Sequence, residues 1–243
     1  MRRYRIPVLL AVVVLLGAAC SSGGSSGGST TTTAARNPSS SSTTAPPGDA
    51  ALAAAGLVTQ ADLPGYTRNP ASTKRELDAI DAKAKTLPEC QTFEAAKRDG
   101  EVQRRSPKWA KNQTTVDSST DVYADTAEIA AQLELYRDPT IIDCYRALYT
   151  AVITERLGTK GTLVSVDISP IAVEIVGDAQ FGFRITVTVE SNGATQTQIA
   201  DAIGIQVGRV GLSLNVSGTV PEMAKVESEL LPVLVKRLQD AQA

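Results

Sequence analysis

Between Val164 and Val216 apolar residues recur with a period of two, and this pattern limits the fold more than any other stretch of the chain. Side chains of an extended strand point alternately to its two sides, so a strict alternation marks a sheet with unlike faces. Val164, Val166 and Ile168 alternate with Ser165 and Asp167. Phe183, Ile185, Val187 and Val189 alternate with Arg184, Thr186, Thr188 and Glu190. Asn192-Gly193 follows at once, and a type I′ turn needs positive φ at both of its central residues. The next strand, about Thr195 to Val207, carries Ile199, Ile203 and Ile205, interrupted on that face by Asp201. Gly208-Arg209 is a second tight turn, leading into Val210, Leu212, Leu214 and Val216. The pattern predicts an antiparallel meander with one apolar and one polar face, and the apolar face needs a cover.

Helical spacing supplies the cover. Pro221 to about Ala241 places Met223, Val226, Leu230, Leu234 and Leu238 on one face, with Pro232 inside the helix and expected to kink it. Upstream, Asp125-Thr-Ala-Glu128 is a capping box for a helix carrying Ile129, Leu133 and Tyr136. Asp138-Pro139 starts another, whose apolar face runs through Ile142, Tyr145, Tyr149 and Ile153 and which ends near Gly158. Residues 50–120 are less regular: a short helix near Thr59 to Asp62, a helix from Ala71 to Leu87, another after Pro88, and a strand from Thr114 to Tyr123. The fold class is α+β: an antiparallel β-meander sheet of about five strands, flanked by helices and closed by a C-terminal helix.

The N-terminal region is built differently. Arg2, Arg3 and Arg5 precede an apolar run from Ile6 to Leu16, a length of about eleven residues that suits a secretory leader and is too short to span a bilayer. Gly17-Ala18-Ala19-Cys20 resembles the lipobox of bacterial lipoproteins, with Gly17 standing where Leu or Val is usual. It implies cleavage after Ala19 and a lipidated Cys20 on the outer face of the cell membrane. Ser21 to roughly Asp49 is nearly all Ser, Gly, Thr, Ala and Pro, which cannot bury enough apolar surface to order itself. A coil of about 29 residues has a span of roughly 30 Å. The expected organisation is a leader over 1–19, a lipidated and disordered linker over 20–49, and one extracytoplasmic domain over 50–243. Of three cysteines, Cys90 and Cys144 then remain for each other in a disulfide-permissive compartment.

Composition removes much chemistry. The chain has no histidine, which excludes Ser-His-Asp and Cys-His pairs and His-based zinc sites. There is no G-x-S-x-G elbow, and no serine is followed by lysine three residues later. Gly204, Gly208 and Gly211 fit neither a dinucleotide fingerprint nor a phosphate loop. Carboxylates suffice for a glycosidase, yet few aromatics are left for stacking sugars. No catalytic residue, metal site or cofactor is expected, and a net charge of −2 argues against nucleic acid as a partner. One basic stretch stands out. Lys97, Arg98, Arg104, Arg105, Lys108 and Lys111 surround the only tryptophan, Trp109, as a loop that could meet anionic head groups or wall polymers.

Three short segments carry a family resemblance: Gln60-Ala-Asp-Leu-Pro-Gly-Tyr66, Val176-Gly-Asp-Ala179 before Phe-Gly-Phe-Arg, and Val207-Gly-Arg209 before Leu-Ser-Leu-Asn. They resemble actinobacterial lipoproteins related to the extracellular sensor domain of mycobacterial membrane serine/threonine kinases. The resemblance implies a PsbP-like, helix-flanked antiparallel sheet with a ligand cleft, and it transfers no site residue. The expected function is a membrane-anchored, non-catalytic, sensor-like binding domain whose partner is a small molecule, a wall component or a protein. A structural or protein-interaction module of an envelope complex is the alternative, and a lipid carrier the third.

Overall fold

A computed structural model describes residues 48–69, 74–174 and 176–243. Cys20, the leader and nearly all of the linker lie outside the described residues. The chain folds as α+β, with six α-helices around an antiparallel sheet of eight strands among the described residues. The elements are α1 (Asp49–Ala55), β1 (Thr67–Asn69), α2 (Lys74–Ala84), α3 (Gln91–Ala96), β2 (Val102–Arg105), β3 (Lys108–Lys111), β4 (Thr114–Val122), α4 (Thr126–Arg137), α5 (Thr140–Leu157), β5 (Thr162–Pro170), β6 (Ala179–Ser191), β7 (Ala194–Val207), β8 (Val210–Ser217) and α6 (Val220–Gln242). The strand order is β1-β3-β4-β8-β7-β6-β5, with β2 also paired to β4. The last five strands are the five expected, β5 to β8 from the alternation and β4 from the separate reading of Thr114 to Tyr123. The three extra ones, β1 to β3, are only three or four residues long, too short to show a period.

The sheet is apolar on both sides, which corrects the expectation of one polar face. Ser191 pairs with Ala194 across the two-residue turn, where Asn192 and Gly193 have φ of 53° and 72°. That turn places Phe183 opposite Ala202 and Ile185 opposite Ala200. The large apolar residues of β6 therefore face away from those of β7. On the first side Phe183, Ile185 and Val187 pack with Val166, Ile168 and the α5 residues Tyr145, Leu148, Tyr149 and Val152. On the second side Ile203, Ile205, Leu212, Leu214 and Val216 pack with Leu52 of α1 and with Met223, Leu230, Leu234 and Leu238 of α6. Each such side chain stabilises the fold by roughly 1.5–3 kcal/mol when fully buried.

Local chemistry explains where the helices begin and end. Asp125 accepts the Glu128 N–H at 2.8 Å, and Glu128 reaches back to the Ala124 N–H at 3.2 Å. The Asp138 side chain accepts from the Thr140 N–H at 2.8 Å, and α5 buries Ile141 rather than the expected Ile142. Thr59 to Asp62 is a turn and not a helix, because the Asp62 carboxylate takes both the N–H and the hydroxyl of Thr59 at 2.8 Å. The helix expected to run to Leu87 ends at Ala84; Leu87 precedes Pro88 and is extended, as that position favours. Val164 is not part of the inward row. A bulge between Leu163 and Ser165 displaces it, and it is 57% exposed.

Cys90 and Cys144 are joined, with Cα atoms 4.5 Å apart, tying the turn before α3 to α5. Two further ties hold the N-terminal segment: Arg209 pairs with Asp49, and Arg237 pairs with Asp62 through Nη1 at 3.0 Å and through Nη2. None of the helices among the described residues is long and apolar enough to cross a membrane.

Candidate functional site

The basic stretch does not form a surface patch. It is not a loop; Arg104 and Arg105 lie on β2, and Lys108, Trp109 and Lys111 on β3. Their pairings with β4 send Arg105 and Lys108 to the α5 side of the sheet, and Arg104, Trp109 and Lys111 to the α6 side. Lys108 and Trp109 are buried. Trp109 donates its indole N–H to the Val58 carbonyl at 3.3 Å. Burial lowers the Lys108 ammonium from its ordinary range, against the opposing pull of Asp117. Lys111 lies over the Tyr66 ring at 5.7 Å, and Lys97 sits 3.6 Å from the buried Asp81. The segments that carry the resemblance are structural as well: Asp178 accepts the Gly208 N–H at 2.6 Å, and Gln60 donates to the Tyr66 carbonyl at 3.1 Å.

The roomiest cleft described lies on the α6 side. It has about 150 Å³ of space between the β5–β6 loop and α6, lined by Val173, Glu174, Val176, Ile203, Leu231 and Pro232, with Ala172, Ala224, Glu227 and Ser228 completing the wall. A cavity of that size admits a benzene-sized body; it does not hold the long acyl chains that a lipid carrier would need. The loop comes this close because residue 182 is glycine. A Cβ there would meet Cγ2 of Val173 at 2.5 Å, and the Gly182 carbonyl accepts the Ile171 N–H at 2.9 Å. On the opposite wall, Pro232 has no N–H to offer the Ser228 carbonyl four residues earlier, although α6 runs through it.

Beneath the cleft the sheet supplies charge. Arg184 and Asp201 are directly opposed on β6 and β7. Arg184 grips both carboxylate oxygens, through Nε at 2.8 Å and Nη2 at 2.6 Å. Asp201 is wholly buried. Glu227 descends from α6 within hydrogen-bonding reach of Asp201. Its pKa is pushed up from 4.5 to about 7, first by burial, then by the Asp201 charge and hydrogen bond, with Arg184 opposing. Its Oε1 atom is buried and receives no hydrogen bond. The arrangement can hold one exchangeable proton at the wall of an apolar cleft. It offers no second open group to a reacting atom, since Arg184 occupies both oxygens of Asp201.

The alternation marks Asp201, and the helix-breaking residue marks Pro232. Glu227 is missed because it lies beside the apolar stripe of α6, next to Val226, and only docking brings it to Asp201. Among the described residues no group of three or more His, Cys, Asp or Glu side chains is placed to hold a metal ion.

No family model and no curated protein matches the chain. Among solved structures, the crystal structure of the extracellular domain of PknH from Mycobacterium tuberculosis is similar at a TM-score of 0.25 and 8% identity, covering 70% of this chain and 100% of that one. A likeness at that level decides neither fold nor function.

Proposed function

We propose that this chain is a lipid-anchored cell-envelope protein whose single folded domain binds a small molecule in the α6 cleft without transforming it. The observation that carries this reading is the cleft itself: an apolar, benzene-sized space with one convergent half-buried acid on its wall. Small-molecule sites combine these two elements, apolar walls for affinity and a few placed polar groups for orientation. The lipobox-like segment ending at Cys20 and the linker after it support the envelope location. A sensor-like role follows from the same features. A tethered domain with a small cleft and no open catalytic group is equipped to register a ligand rather than to consume it.

Native mass spectrometry of the full chain, extracted in mild detergent, tests the reading. A reproducible small-molecule adduct is expected on the native protein. Leu231→Trp fills the cleft and should abolish the adduct while the domain stays folded. A bare protein mass under gentle conditions, or an adduct that survives Leu231→Trp, would refute it.

A further inference from the structure

We infer that the α6 cleft selects organic cations, specifically a primary amine attached to a ring-sized apolar body, with the ammonium bound at Glu227. This rests on the reading of the cleft as a ligand site and adds the chemistry of what enters it. Among the described residues, the polar side chains that line the cleft are Glu174, Glu227 and Ser228, and no basic side chain lines it. The Ser228 hydroxyl already donates to the Lys225 carbonyl at 2.9 Å. What remains are acceptors: the Glu227 carboxyl, whose Oε1 atom receives no hydrogen bond, and the Ser228 carbonyl, which Pro232 deprives of its helical donor. An ammonium carries three donors and no acceptor, which is the complement of such a wall. An acidic or acceptor-rich ligand would meet unpaired oxygens and a like charge.

Proton bookkeeping follows from the neighbours. The charged groups that face Glu227 are Asp201 and Arg184 from the sheet, and Glu174 lies on the loop across the cleft. With Glu227 protonated, the Arg184–Asp201–Glu227 set is neutral. An entering ammonium restores that neutrality by displacing the Glu227 proton to solvent. Binding and proton release are then one event, and affinity for the amine rises as the pH increases through about 7.

Isothermal titration of the full chain in lipid nanodiscs, with protein-free discs as reference, tests this with two probes of one shape, benzylamine and benzyl alcohol. Benzylamine should bind about tenfold more tightly at pH 8. The advantage should shrink towards pH 6, and heats measured in buffers of different ionisation enthalpy should reveal proton release near pH 7. Glu227→Gln should bring the two probes level. Equal affinities at pH 8, or a pH-independent preference in the unaltered protein, would overturn the cation assignment and leave the cleft standing. A preference that persists in Glu227→Gln would overturn it too. If neither probe binds, the cleft is not a small-molecule site and both readings fall.

Discussion

Glu227 is an acid that keeps its proton to higher pH than most glutamates do, and the consequence reaches beyond binding. Its folded-state pKa of about 7 lies above the ordinary 4.5, so the folded chain keeps this proton more tightly than the unfolded chain does. Its contribution to stability is therefore complete below pH about 4.5 and is lost as the pH rises through about 7. Glu227→Gln removes the ionisation. The midpoint of thermal unfolding of the variant should gain on that of the natural protein as the pH is raised from 5 to 8. A gap between the two midpoints that does not change with pH would contradict this. Arg184 could have been paired with Asp201 from the sequence, because a two-residue turn at Asn192-Gly193 sets each residue of β6 against a defined partner on β7. Glu227 could not, since nothing in helical spacing tells which neighbour a flank residue will meet.

At the scale of elements, turn chemistry and periodicity made β4 to β8 and helices α4 to α6 readable. The same turn also carried information that the one-faced reading overlooked. With two residues in the loop, cross-strand partners differ in parity. Odd-numbered apolar residues on β6 and on β7 must then lie on opposite sides of the sheet. β1 to β3 stayed hidden because their residues are split between faces within three or four positions. The Cys90–Cys144 bond staples the α5 side, and closing a loop of this length is worth about 4 kcal/mol in the chain-entropy model. Replacing both cysteines by alanine should lower the urea midpoint and steepen the transition, because the unlinked unfolded chain exposes more surface. An unchanged midpoint would show that the bond adds nothing the packing does not already supply.

For the whole molecule, the expected anchor at Cys20 makes a prediction that is independent of the fold. Cells given an alkyne-bearing fatty acid should label the chain and retain it in the membrane fraction, and Cys20→Ala should lose the label. Labelling that persists in the variant would place the lipid elsewhere. The domain behind that anchor has its staple and its cleft on opposite sides of one sheet. The disulfide belongs to the packing under α5, and the cleft to the packing under α6. The β-sheet thus works as a partition: a reductant that opens the Cys90–Cys144 bond loosens one side of the protein, while the cleft on the other side keeps its own walls.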